Sequence, residues 1–240
     1  MSSLSRQQHL LETARATKGF MPDDEGLALA AVAERATLSG FSSIVEVGAY
    51  CGRSTLYLAS GIARAVSLGA APAVIFSVDH HRGSEENQAG WEHHDVTLVD
   101  RETGRMDTLP SWRRALETAG AEDLAVAVVG DSPAIAARCH VAAGLVFIDG
   151  GHGEAAAQAD YCGWAPRVAD SGWLAIHDVF CDPADGGRPP FEIYRRALSS
   201  GEFEEEDSAQ TGSLRVLRRL PGSGPASRSR PRGSDPSTNS

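Results

Sequence analysis

Residues 43–55 read SIVEVGAYCGRST, an apolar run followed at once by a glycine-bearing turn and the start of a helical pattern. A short run rich in Val and Ile, apolar on both alternating faces, is how a buried parallel strand reads. Gly48 and Gly52 let the backbone turn tightly and come close to a ligand. A dinucleotide site would show GxGxxG here, with a pyrophosphate on the helix N-terminus. The spacing is instead ExGxxxG, and Glu46 stands where a phosphate would be repelled. A cationic guest, or at least one without a pyrophosphate, is expected.

Four runs of the same kind follow: AVIFSVD (73–79), LAVAVVG (124–130), GLVFIDG (144–150) and GWLAIHDV (172–179). Helical patterns such as EAAAQADYCGWAPRV (154–168) separate them. Strand–helix alternation predicts an α/β fold, a doubly wound and mostly parallel sheet with helices on both faces and ligands at the carboxyl ends of its strands. GEFEEEDS and SLRVLRRL predict a closing pair that adds an antiparallel edge strand, for seven strands in all. Before the sheet, 4–16 and 23–38 read as helices. The second starts at Pro22-Asp23-Asp24-Glu25, where acids complement the helix dipole. Three regions follow: an N-terminal helical cap (1–40), a catalytic domain (41–220) and a polar tail (221–240) too poor in apolar groups to offset ordering entropy. Within the domain, 80–123 is a long connection and a candidate lid.

Composition narrows the function. With 240 residues, 42% apolar, the chain can bury a sizeable core. A net charge of −10 argues against nucleic acid as a partner. No apolar run is long enough for a membrane span, and MSSLSRQQHLLETARATKG lacks the apolar core of a signal peptide. Four scattered cysteines give neither a zinc motif nor a disulfide framework, so a reduced, cytoplasmic enzyme is expected.

The second strand ends in Asp79, a carboxylate that can accept both hydroxyls of a ribose. The third ends in Gly130-Asp131-Ser132, polar groups able to read an adenine edge. Each acid alone could simply cap the next helix; three consecutive polar strand tips point to a nucleoside site. At these residues the chain resembles the class I S-adenosylmethionine-dependent methyltransferases over roughly 18–220. EVGAYCGRST is similar to their first motif, VDH to their second-strand acid and GDS to their adenine-side loop. The resemblance implies a Rossmann-like sheet and S-adenosylmethionine held by Glu46, Gly48, Gly52, Ser54, Asp79, His80, Asp131, Ser132 and Asp149.

Strands four and five end in LVFIDGGH and LAIHDVF. Adjacent strands lie about 4.8 Å apart, so Asp149, His177 and Asp178 can share one hard cation, Mg²⁺ or Mn²⁺. These tips resemble the IDGxH and HD motifs of metal-dependent O-methyltransferases of the catechol and the macrolide or aminocoumarin sugar types. The position of His177 often holds Asp, Asn or Glu in those relatives, which leaves the third ligand open; a histidine merely oriented by a neighbouring carbonyl is the plainer reading. His152, three residues past Asp149, sits where catechol-type enzymes carry a lysine base. It is the candidate general base, or else a cap for the helix beginning near Glu154.

KGFMPDDEG (18–26) and SGWLAIHDVF (171–180) resemble the sugar-modifying group more closely, including mycobacterial-type enzymes that methylate the reducing-end hydroxyl of a methylmannose oligosaccharide. The acceptor implied is a small molecule or oligosaccharide, with a catechol or other phenol as the alternative. A nucleotide-binding oxidoreductase and a non-catalytic binding module also stay open. HHRGSEENQAGWEHHD (80–95) holds four of the eight histidines. Arg82, Glu86, Trp91 and His152 are its candidate acceptor contacts and their neighbour; a solvated surface loop is the alternative for the stretch. The resemblance also implies a homodimer, with the N-terminal helices as the contact.

Overall fold

The computed structural model describes residues 3–223 apart from 85–86, 89, 91–93, 152, 183–184 and 186. Seven strands form one sheet: β1 (Ser43–Val47), β2 (Val74–Asp79), β3 (Ala125–Val129), β4 (Ala143–Ile148), β5 (Val168–Ile176), β6 (Phe203–Glu205) and β7 (Arg215–Arg219). Their order is β3-β2-β1-β4-β5-β7-β6. Strands β1 to β5 are parallel, and β7 runs antiparallel to both β5 and β6. The antiparallel strand therefore lies one place in from the edge, which the three-residue β6 closes.

The helices are α1 (Ser3–Ala16), α2 (Asp23–Leu38), α3 (Arg53–Ser67), α4 (Leu109–Ala119), α5 (Ser132–Ala136), α6 (Glu154–Trp164) and α7 (Pro189–Ser199). One apolar cluster joins α1, α2, α3 and α4 to one face of the sheet through Leu10, Leu29, Leu56, Ile62, Trp112 and Leu116. A second packs α6 and α7 on the other face through Tyr161, Trp164, Ile193 and Tyr194. The N-terminal helices contribute Leu10 and Leu29 to this main core. The expected 80–123 lid narrows. Trp112 and Leu116 of α4 are buried, and the Trp112 indole donates to Thr55 Oγ1 at 3.1 Å. Residues 109–119 form an ordinary crossover helix, and of the described residues before it His80, Gly83, Ser84, Asn87 and Thr108 line the cleft.

Two glycines set how closely α2 lies on α3. A Cβ on Gly26 would stand 2.4 Å from the Tyr57 ring, and one on Gly61 would stand 2.1 Å from the Ala30 carbonyl oxygen. The start of α2 is pinned as well: the Tyr57 hydroxyl donates to Asp23 at 2.7 Å, and Arg15 pairs with the same carboxylate at 2.8 Å. This packing carries Glu25 over the ends of β4 and β5.

Candidate active site

The strand order reverses between β1 and β4, and a cleft of about 1320 Å³ opens at the carboxyl ends of β1 to β5. That is the general ligand position in an open α/β sheet. Gly48 leaves β1 with φ +90°, and a Cβ there would lie 2.0 Å from the Asp149 carbonyl oxygen. Asp79 at the β2 tip accepts the backbone N–H groups of Ala49 (3.0 Å), Tyr50 (2.8 Å) and His81 (2.6 Å). Its carboxylate thereby ties two strand tips together while remaining on the cleft wall. Tyr50 and His81 are held at φ +46° and +58°, backbone strain of the kind that concentrates at functional sites. Across the mouth, Phe20 is 60% exposed and its ring centroid lies 5.4 Å from that of Tyr50.

At the β3 end, Asp131 accepts the Ala134 N–H at 3.1 Å and caps α5, so the capping reading holds for it while it also lines the cleft. Ser132 accepts the Trp164 indole N–H at 2.8 Å. Beside them Asp160 of α6 is buried on the cleft wall. Burial raises its carboxyl above the ordinary range, with a contribution from the charge of Asp131 and only partial relief from the Ser132 hydroxyl.

Of the expected cofactor residues, Gly48, Ser54, Asp79, His80, Asp131, Ser132 and Asp149 line this cleft. Glu46 and Gly52 do not. Glu46 is fully buried beneath it and accepts the hydroxyls of Ser54, Thr55 and Ser77, each at 2.6 Å. Burial pushes its carboxyl up to about 7 despite those three bonds. Its part is to hold α3 and β2 to β1, since it is fully buried and does not reach the cleft wall as Asp79 does. Gly52 starts α3 at φ +97° and faces Trp112. Arg82 lines a smaller neighbouring cavity of about 440 Å³ with His80 and Arg105, and one of its nitrogens donates to the Met106 carbonyl at 3.1 Å. Glu86, Trp91 and His152 lie outside the described residues.

The expected cation ligands do converge. Asp149, His177 and Asp178 each offer one ligand atom, all within 4.8 Å of one another. Asp178 takes φ +57°, so the chain turns sharply after β5 and both residues of the HD pair meet the β4 tip. His177 Nδ1 lies 3.0 Å from Asp149 Oδ1 and 3.3 Å from Asp178 Oδ2. Two carboxylates and an imidazole within 4.8 Å of one another are a donor set that a small hard cation accepts. The plainer reading of His177, orientation by a carbonyl, is replaced by a carboxylate: Nε2 lies 2.6 Å from Glu25 Oε2. Burial would lower the imidazolium pKa, but the charge of Asp149 and hydrogen bonds to Asp149, Asp178 and Glu25 outweigh it and hold it well above 6.5. Nδ1 must therefore lose its proton for a cation to bind.

Sequence reasoning misses Glu25 and Asp160. In the sequence Glu25 is only a helix-start acid, and it lies 152 residues from the histidine it meets. Asp160 sits inside a helical pattern with nothing local to separate it from a surface acid. A buried acid shows itself only once the neighbouring elements are packed.

A family model described as a methyltransferase domain matches residues 45–179. Among solved structures, the chain is similar to an O-methyltransferase from Bacillus cereus in complex with S-adenosylhomocysteine, at 14% identity, with 90% of each chain covered and a TM-score of 0.57. It is similar to the Streptomyces achromogenes O-methyltransferase involved in tomaymycin synthesis, solved with S-adenosylmethionine, at 12% identity, 90% of this chain and 89% of that chain, and a TM-score of 0.55. An S-adenosylhomocysteine-bound methyltransferase from Podospora anserina matches at 12% identity, 89% and 87% coverage, and a TM-score of 0.56. At these identities the likeness is one of fold.

Proposed function

The chain belongs to the methyltransferase family whose domain spans residues 45–179, more than half of its length, and from that premise we propose that it is an S-adenosylmethionine- and divalent-metal-dependent O-methyltransferase acting on a sugar hydroxyl. The observation that carries this reading is the convergence of Asp149, His177 and Asp178 at the cleft. When bound, S-adenosylmethionine supplies an electrophilic methyl group and Mg²⁺ or Mn²⁺ supplies a fixed positive charge that lowers the pKa of a neighbouring hydroxyl.

The chain's own residues divide the remaining work. Gly48 gives a ligand close approach to the backbone, Asp79 offers its carboxylate to the ribose hydroxyls, and Asp131 with Ser132 faces the adenine. Asp149, His177 and Asp178 would hold the cation. His152 takes the proton of the acceptor hydroxyl, as a histidine titrating near neutrality can. Holding the two partners in line can supply roughly 7–11 kcal/mol of the acceleration. Arg82, Glu86 and Trp91 contact the acceptor. The reducing-end hydroxyl of a methylmannose oligosaccharide is the first candidate, on the sequence resemblance at 18–26 and 171–180. A cytoplasmic homodimer is the form we expect: the four cysteines are free, no described helix is long and apolar enough to cross a membrane, and Leu27 and Leu38 of α2 are exposed for a contact.

The test is to incubate the protein with S-adenosylmethionine, Mg²⁺ and a panel of reducing sugars and catechols, and to weigh the products. Methylated sugars are expected, with most turnover lost in His152→Ala at unchanged cofactor affinity. Methylated catechols with untouched sugars would move the acceptor to the phenol class, and no methylated product from any acceptor would refute the proposal.

A further inference from the structure

We propose that Glu25 of α2 is the carboxylate that fixes His177 for cation binding through Nδ1, so that a residue outside the matched methyltransferase domain completes the metal centre. This rests on the metal-dependent reading above and extends it to a positioning residue.

A neutral imidazole can carry its single proton on either nitrogen, and only the nitrogen left with a lone pair can bind a cation. Glu25 decides which one that is. The side chain is 3% exposed, and its Oε2 lies 2.6 Å from His177 Nε2. The remaining contacts supply donors to the same carboxylate: the Ser213 backbone N–H reaches Oε1 at 2.6 Å and the Ser213 hydroxyl reaches Oε2 at 3.2 Å. An acceptor so placed keeps the proton on Nε2. The opposite edge of the ring then turns Nδ1 toward Asp149 and Asp178, at 3.0 and 3.3 Å. Carboxylate, imidazole and ligand pair stand in sequence, the arrangement by which an outer carboxylate orients a ligating histidine and raises its basicity.

The turn before β7 is shaped around this carboxylate. Gly212 takes φ +52°, and a Cβ there would lie 2.0 Å from Glu25 Oε1. Glu25 and Ser213 both lie beyond residues 45–179. The helix that precedes the domain and the turn that follows it thus meet on one histidine.

The test is Mn²⁺ binding to the full chain, read by the electron paramagnetic resonance signal of free Mn²⁺, for wild type, Glu25→Gln, Glu25→Ala and Asp178→Ala. S-adenosylhomocysteine affinity is measured in parallel. Both Glu25 variants are expected to lose about 10–100-fold in Mn²⁺ affinity while S-adenosylhomocysteine affinity stays within about threefold of wild type. Glu25→Gln keeps the shape, which guards against a fold that simply fails; with its oxygen on the Ser213 N–H, its NH₂ faces Nε2 and no longer accepts that proton. If both variants bind Mn²⁺ like wild type while Asp178→Ala does not, the role of Glu25 is overturned and the metal reading stands. If Mn²⁺ and S-adenosylhomocysteine affinities fall together, Glu25 only holds the fold and the proposal fails. If wild type itself binds no Mn²⁺, the metal reading falls and takes the proposal with it.

Discussion

Gly48 occupies a backbone conformation, φ +90°, beside a carbonyl that leaves no room for a side chain. Gly48→Ala should cost at least roughly 1–3 kcal/mol from the left-handed backbone alone, and should displace Asp149, whose carbonyl the new methyl would strike. We expect a lower Tm and weaker S-adenosylhomocysteine binding by calorimetry; unchanged values for both would contradict the geometry. Glu46 makes a prediction about pH. Burial raises its carboxyl from 4.5 to about 7, and a carboxyl raised on folding contributes stability that is full below its unfolded pKa and lost as pH rises through the folded one. The shift corresponds to an upper bound of roughly 3 kcal/mol. Between pH about 5 and about 8 the Tm difference between Glu46→Gln and wild type should move in the variant's favour; a constant difference would show that Glu46 does not titrate there. Strand-tip acids also mark what is legible at this scale. Asp149 and Asp178 can be picked out because Asp149 directly follows the apolar run of β4 and Asp178 stands two residues past that of β5, at the sheet edge where ligands of this architecture bind. Glu46 carries the same signature in the sequence, yet Ser54, Thr55 and Ser77 hold it away from the cleft, and only packing reveals that.

Among the elements, the α2–α3 contact governs where Glu25 stands. An exposed helical glycine usually gains about 1 kcal/mol on replacement by alanine. Gly61 should behave oppositely, because its Cβ would sit 2.1 Å from the Ala30 carbonyl oxygen, a backbone atom, and overpacking of this kind costs typically 1–3 kcal/mol. Gly61→Ala should therefore lower the Tm, and by lifting α2 should weaken Mn²⁺ binding as well. A raised Tm would sink the argument. The parallel strands β1, β2, β4 and β5 are legible because strands covered by helices read as nearly unbroken apolar runs, and β3 reads the same although Val126 and Val129 are exposed at the sheet edge. Helix α2 is legible from Pro22 and the three acids after it. Two features are not. Helix α4 follows a charged stretch that draws its residues into an expected lid, although Trp112 and Leu116 bury it against the core. The inward place of β7 depends on pairing with β5 across a long connection, which strand patterns alone do not specify.

For the molecule as a whole, the centre draws on three parts of the chain: α2, the β4 and β5 tips of the matched domain, and the turn before β7. In the proposed centre Asp149, His177 and Asp178 would supply the ligand atoms, and the packing of the flanking parts holds the histidine between Glu25 and the two aspartates. An assembly of that kind has a plain consequence for activity. Methyl transfer should need the cation as well as S-adenosylmethionine, and should be lost with either aspartate. The most direct measurement is methyl transfer to the sugar acceptor by protein stripped with EDTA, before and after addition of Mg²⁺ or Mn²⁺, with Asp149→Ala and Asp178→Ala in parallel. A cation requirement means that stripping abolishes turnover, that added cation restores it in wild type, and that neither variant recovers at the same cation concentration. Full activity of the stripped wild-type protein would contradict it.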